Sequence, residues 1–287
     1  MKVIFNCSTY SFHKDYYVNI DRELRRRGHK TVFAETSDNY FNDADYTIIA
    51  DESQASMGGK CVWIGHSFDA KGAMWNDEHC LKQLDKNADY IFVYSEFYKR
   101  WLERYVNKPI FISGMAKLDG RYGKHGKNIL FAPTFDQELT AETVVGNTIK
   151  KLQKKGVPIL ERRHPVHYVN GRPAEEVFSL SNIVISGYSS MGMEAIVLDK
   201  PTILVNNPRR VEYKSFPPSS YICNQARKAA IEVNDGKELI QAIETYKENP
   251  NYLTKERRRY GALLCEYRGV STERTVDLLE EIYASKQ

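Results

Sequence analysis

Apolar and polar positions along the chain follow two alternating rhythms. Short runs rich in β-branched and aromatic residues read as strands: Lys2 to Asn6, Lys30 to Glu35, Tyr46 to Ala50, Cys61 to Ile64, Tyr90 to Tyr94 and Pro109 to Ser113. Stretches with apolar residues at helical spacing separate them, Asp15 to Arg27, Glu78 to Lys86 and Glu96 to Val106. The first stops at Gly28, a residue type that helix C-termini favour, and Arg25, Arg26 and Arg27 complement the dipole there. A second series follows, with strands Asn128 to Ala132, Val157 to Arg162, Asn182 to Ser186, Thr202 to Val205 and Ala229 to Val233. Its helices are Ala141 to Lys155, Ser190 to Leu198 and Gly236 to Asn249. Such alternation predicts two parallel sheets with helices on both faces and right-handed crossovers.

Between the two series, residues 114–127 (GMAKLDGRYGKHGK) lose apolar periodicity and read as an interdomain linker. The expected organisation is therefore a doubly wound domain over 1–120, a second over 121–262, and a C-terminal helical segment, 263–287. The whole tail from Leu253 to Ala284 carries amphipathic helical spacing, and its last part is expected to pack back on the first domain. Two facing domains of this class put a cleft at the carboxyl ends of their strands, where such folds bind ligands.

Composition changes this picture little. With 287 residues, 42% hydrophobic and 27% charged, the chain suits two globular domains, and a formal charge of +4 compels neither nucleic acid nor a membrane as partner. The clusters Arg25 to Arg27 and Lys255 to Arg259 read as solvated faces. Five cysteines without paired spacing suit a reducing compartment, with Cys7 and Cys61 as core residues. No run reaches the roughly 18 apolar residues of a membrane span, and no signal-peptide pattern precedes the first strand. A cytoplasmic protein is expected, with no integral membrane contact; peripheral attachment stays open. Spacing points to no metal site, P-loop or dinucleotide fingerprint.

Polar loops follow the strands at one edge: Ser8 to Lys14, Gly65 to Lys71, Ala132-Pro133-Thr134, Arg163-His164-Pro165 and Gly187-Tyr188-Ser189-Ser190. Their convergence argues for a shared site. His66, with Asp69 and Lys71 close by, has the chemistry of a general base. Arg162 or Arg163 can fork onto phosphate oxygens, and His164 can donate to the same group. The serine turn opens a helix whose free N–H groups and dipole favour an anion. Ser189 or Ser190 can equally cap that helix, with Glu194 in its first turns as dipole complement.

These residues resemble the CDP-glycerol glycerophosphotransferases of teichoic-acid synthesis. That family has a His-Gly motif with lysine five residues after the histidine; His66 and Lys71 keep the spacing, and Ser67 stands in the glycine's place. Ala88-Asp89-Tyr90-Ile91 through Ser95-Glu96, Gly114 to Asp119, Leu130 to Thr134 and Arg162-Arg163-His164-Pro165 match further motifs in order. A final motif is matched by Gly187-Tyr188-Ser189-Ser190, Glu194 and Lys200-Pro201, with Gly187 where the family has aspartate.

The resemblance implies the GT-B fold, two Rossmann-like doubly wound domains facing a central cleft. It also implies a metal-independent transferase with no cofactor beyond its nucleotide-diphosphate donor, CDP-glycerol or a nucleotide sugar. Donor binding falls to Thr134, Arg162, Arg163, His164, Gly187, Tyr188, Ser189, Ser190 and Glu194. Catalysis falls to His66 as base with Asp69 and Lys71. The acceptor is a hydroxyl of glycerophosphate, of a sugar, or of a hydroxylated base in modified DNA. Gly187, and the lack of a counterpart to the N-terminal regions that polymerising members use, turn the expectation away from polymer synthesis. Sugar-nucleotide 2-epimerisation and a non-catalytic nucleotide-sugar-binding module are the rival readings.

Overall fold

The computed structural model describes residues 1–8, 13–35, 43–65, 68, 78–134, 140–163, 174–208 and 221–285. The chain divides into two compact units, one of Met1–Ser67, Ala73–Gly120 and Cys265–Gln287, the other of Phe68–Gly72 and Arg121–Leu264.

The first unit is built on Lys2–Asn6 (β1), Lys30–Ala34 (β2), Tyr46–Ile49 (β3), Lys60–Trp63 (β4), Tyr90–Val93 (β5) and Ile110–Ile112 (β6), ordered β2-β1-β3-β4-β5-β6. Every pairing is parallel. Parallel sheets need cover on both faces, which is why the strands read as nearly continuous apolar runs and why Val3, Phe5, Ile48, Val62 and Phe92 have no exposed surface. The crossover helices are Lys14–Arg26 (α1), Glu78–Asn87 (α2) and Glu96–Leu102 (α3). α3 ends four residues short of the expected Val106, because Tyr105 and Val106 turn back to hydrogen-bond the Leu102 carbonyl.

The last helix, Ser271–Ala284, contributes Val276, Leu279 and Ile282 to this same core. Burying each such side chain is worth about 1.5–3 kcal/mol. Polar contacts tie it to the turn that follows α1: Arg27 Nη1 donates to Asp277 at 2.6 Å and to Glu280 at 2.7 Å, and His29 Nε2 meets Glu280 at 2.7 Å. Arg27 is thus engaged rather than a freely solvated member of its cluster.

The second unit holds Asn128–Ala132 (β7), Ile159–Glu161 (β8), Ser181–Ser186 (β9), Thr202–Val205 (β10) and Ile231–Val233 (β11), all parallel in the order β11-β10-β9-β7-β8. Its helices are Glu142–Lys154 (α4), Ala174–Ser179 (α5), Ser190–Val197 (α6), Tyr221–Ala226 (α7), Gly236–Glu248 (α8) and Thr254–Leu264 (α9). Ile129, Ile183, Ile185 and Ile203 pack with Val145, Ile149, Leu239 and Ile243 from α4 and α8. The short helices α5 and α7 carry too few turns to register in the apolar pattern.

The structure corrects three expectations. The tail is not one helix: α9 stops at Leu264, and Tyr267 (φ 52) and Gly269 (φ 86) turn the chain before Ser271. Residues 114–127 are not all linker, since Ala116–Leu118 forms a buried 3-10 turn of the first unit, held by Asn19 Nδ2 donating to Ala116 O at 2.8 Å. Residues 124–126 are tied to the second unit, where Lys200 Nζ donates to Lys124 O at 2.6 Å and Gly126 N–H to Ser181 O at 3.2 Å. The cluster Lys255 to Arg259 is not uniformly solvated either. Arg257 is 1% exposed, donating to Tyr252 O, Thr254 Oγ1 and Asp199 Oδ1.

Candidate functional site

In the second unit, the carboxyl ends of the strands bring polar groups together. Ser186, the last residue of β9, donates from Oγ to Ala132 O at 2.8 Å, stitching the end of β9 to the end of β7. Arg162 N–H donates to Phe131 O at 2.9 Å, holding the end of β8 beside them. Thr134, after β7, is buried. At the other side, Asn207 Nδ2 donates to Thr140 O and Thr143 Oγ1, both at 3.2 Å, and Asn206 Nδ2 donates to Asn234 Oδ1 at 3.2 Å.

The serine turn sits at the middle strand of this edge. Ser189 has extended backbone and is the N-cap of α6, its Oγ accepting from Met191 N–H at 3.4 Å. Capping is therefore its resting role; Ser190, the first helical residue, is half-buried and its hydroxyl is left to other partners. α6 lies close on the sheet because Gly192 has no side chain; a Cβ there would approach Leu204 Cδ2 to 2.7 Å. Gly187 is buried and is not among the residues with positive φ, so its backbone does not demand glycine.

Glu194 departs from its expected role. It is 1% exposed and lies in the second turn of α6, whose first turn holds no acid, so it is an interior group rather than a dipole complement. The two arginines after β8 also differ. Arg163 is drawn aside by carboxylates, Nε to Glu161 at 2.7 Å and Nη2 to Glu142 at 3.1 Å. Arg162 instead reaches the serine helix, its Nη1 3.8 Å from Met191 Sδ. Arg162 thus lies beside the first turn of α6.

In the first unit, the ends of β4, β5 and β6 border a small pocket of about 20 Å³ lined by Tyr16, Ile64, Gly65, Tyr94, Ser113 and Lys117. Lys117 is 7% exposed with Nζ 4.5 Å from the centroid of the Tyr16 ring. Gly65 has φ +65 and packs directly against the Tyr94 side chain. His66, Asp69, Lys71 and His164 lie outside the described residues. Gly65 is thus the last described position before the candidate base. Burial pushes the thiols of Cys7 and Cys61 up to about 12, which keeps them protonated and inert.

Sequence reasoning missed Arg227 and Asn206. Arg227 donates to Asn206 and stacks on Tyr188 of the serine turn. No local signal marks it, since it lies in a short 3-10 turn distant in sequence from the motif it touches. Among the described residues, no group of three or more His, Cys, Asp or Glu could hold a metal ion, and no helix is long and apolar enough to cross a membrane.

Comparison with known proteins gives this geometry a family context. The profile described as CDP-glycerol:poly(glycerophosphate) glycerophosphotransferase matches residues 62–281. Teichoic acid glycerol-phosphate primase of Staphylococcus aureus (strain NCTC 8325 / PS 47) is 28% identical over 94 residues, 31% of this chain and 26% of that protein. The match thus spans about a quarter of the curated relative's length. The wall teichoic acid polymerase TagF superposes with a TM-score of 0.75 at 11% identity, over 99% of this chain and 89% of that one. The S. aureus MnaA–UDP co-structure gives 0.63 at 9% identity, over 99% and 97%. At such identities the likeness is one of fold, and the fold is GT-B.

Proposed function

The chain belongs to the CDP-glycerol:poly(glycerophosphate) glycerophosphotransferase family, and on that premise we propose that it transfers a glycerophosphoryl group from CDP-glycerol to an acceptor hydroxyl. The acceptor oxygen bonds to the distal phosphorus, the bridging P–O bond breaks, and CMP leaves with the electron pair. His66 takes the acceptor proton. The N-terminus of α6, the hydroxyls of Ser189 and Ser190 and the cation of Arg162 receive the donor phosphates, so this chain's own groups supply the charge stabilisation without a resident metal. Free cysteines, all but Cys80 buried, suit a reducing, cytoplasmic setting for the reaction.

The observation that carries this reading is the capped serine helix with Arg162 at its first turn, inside the span that the family profile matches. The family match favours phosphoryl transfer over sugar-nucleotide epimerisation. The test is CMP release from CDP-glycerol in the presence of a glycerophosphate-bearing acceptor. His66→Ala should abolish release while CDP-glycerol still binds; a His66→Ala enzyme that turns over would remove the base assignment, and no release by the unaltered chain would remove the reaction.

A further inference from the structure

Tyr188, within the serine turn, is 2% exposed, and the guanidinium of Arg227 lies over its ring, with Cζ 4.7 Å from the ring centroid. Arg227 comes from the 3-10 turn Arg227–Ala229 between α7 and β11, and its side chain is 5% exposed. Hydrogen bonds hold the guanidinium at several points. Nε and Nη2 donate to Glu232 Oε2 at 3.0 and 2.8 Å, and Nη2 donates to Asn206 Oδ1 at 2.6 Å. The Tyr188 hydroxyl donates to the same Asn206 oxygen at 3.3 Å. Guanidinium, ring and amide therefore close a triangle at the ends of β9 and β10.

This triangle has two physical consequences. A cation over a desolvated tyrosine ring, with the ring's hydroxyl also tethered, leaves Tyr188 one orientation. Tyr188 is followed directly by Ser189, so the orientation of the ring sets where the cap and the first N–H groups of α6 point. The charge of Arg227 is also only partly offset. Among the described residues, Glu232 is its one carboxylate partner and is 39% exposed, and Nη1 has no acceptor.

Resting on the donor reading above, we infer that Arg227 is a positioning residue for the donor: it fixes Tyr188, and through it the Ser189–Ser190 helix start, in the geometry that receives the diphosphate. A brace serving stability alone would have no preference among ligands. A brace aimed at the phosphate seat acts on CDP and not on cytidine, which carries the base and ribose without phosphates.

The experiment titrates the full chain with CDP by calorimetry and with cytidine by ligand-observed NMR, for the unaltered protein, Arg227→Met and Arg227→Lys. Arg227→Met should raise the CDP dissociation constant about tenfold or more and leave cytidine within about twofold. Lysine keeps a cation over the ring but cannot fork to Asn206 and Glu232 together, so Arg227→Lys should fall between the two. The KM for CDP-glycerol should follow the CDP affinity, with kcat changing less. CDP binding by Arg227→Met within about twofold of the unaltered chain, or equal losses for CDP and cytidine, would overturn the inference. If the methionine variant does not fold, Arg227→Lys is judged by the same criteria. An unaltered chain that fails to bind CDP overturns the proposed function instead, so the two failures are distinct.

Discussion

Asp119 caps a helix that begins far along the chain: its Oδ2 accepts from the Thr272 N–H at 2.5 Å and from Thr272 Oγ1 at 2.7 Å. The helix Ser271–Ala284 has no side-chain cap of its own. The acid of the family-like segment Gly114 to Asp119 thus anchors the C-terminal helix. Loss of the cap in Asp119→Ala should cost about 1 kcal/mol and speed amide exchange in the first turn of that helix.

Asp119 also gives a pH prediction. Burial pushes its carboxyl up, against the hydrogen bonds from Thr272 and the Ser271 N–H that pull it down, and Oδ1 is buried with no hydrogen-bond partner of its own among the described residues. With the folded value above the unfolded one, the folded chain keeps a proton that the unfolded chain releases. The contribution is therefore present in full below the usual aspartate value of about 3.9 and is lost as pH rises through the folded value. Asp119→Asn keeps an acceptor for the cap and cannot ionise. Just above the usual aspartate range, its thermal midpoint should fall less with rising pH than that of the unaltered chain.

Lys200 offers the opposite sign. Its Nζ donates to Lys124 O at 2.6 Å and to Ser181 O at 3.0 Å in an interior where it has no exposed surface, and burial lowers its value to about 8. Both states are protonated below that point. Between it and the usual lysine value of about 10.4 the unfolded chain binds the extra proton, so this contribution rises with pH, by up to about 1.4 kcal/mol per unit. Buried Cys61 and Tyr17 titrate with the contrary sign, so only the difference between proteins isolates the lysine. Lys200→Met should be less stable at neutral pH by about 1–3 kcal/mol, and the gap should widen across this window in urea unfolding.

The two serines of the turn should separate. Ser189→Ala removes a cap and a candidate phosphate donor together, lowering stability by about 1 kcal/mol and weakening CDP binding. Ser190→Ala touches no capping bond, so CDP binding should weaken while stability stays within about 0.5 kcal/mol. Equal CDP affinity in Ser190→Ala would leave the phosphate seat to the backbone and Ser189.

At Gly65, an added Cβ would overlap the Tyr94 hydroxyl and come to 3.0 Å from Trp63 Cη2, at a φ of +65 that side chains resist. Gly65→Ala should destabilise the first unit by roughly 1–3 kcal/mol and lower kcat, because the next residue is the candidate base His66. Adding Tyr94→Phe removes the nearest clash and should restore part of both. A Gly65→Ala enzyme with unchanged kcat would detach this packing from catalysis.

Both sheets were legible because a strand buried on two faces must be apolar almost throughout, as in Val3 to Phe5 or Ile183 to Ile185, and helices between them repeat at their own period. The candidate site was legible in part for the same reason, since polar residues just past such runs stand at one edge of the sheet. The broken tail was not legible. Tyr267 takes positive φ against its own preference, and does so because Glu266 N–H donates to Tyr94 O at 2.9 Å and Ser271 Oγ to Tyr267 O at 2.8 Å. Arg257 looked like its solvated neighbours until Asp199 and two local acceptors were in reach.

By itself, then, the sequence determined the two parallel sheets, the order of the motifs and the serine helix start, because burial period, turn chemistry and capping are written within a few residues. Tertiary structure decided the partners. Which arginine faces the helix start, that Glu194 lies inside, that Asp119 caps the last helix and that Arg227 braces Tyr188 all depend on side chains brought together from distant segments. A long flexible cation reads the same in sequence whether it meets water, a carboxylate or a ring; only the packed neighbours around it differ.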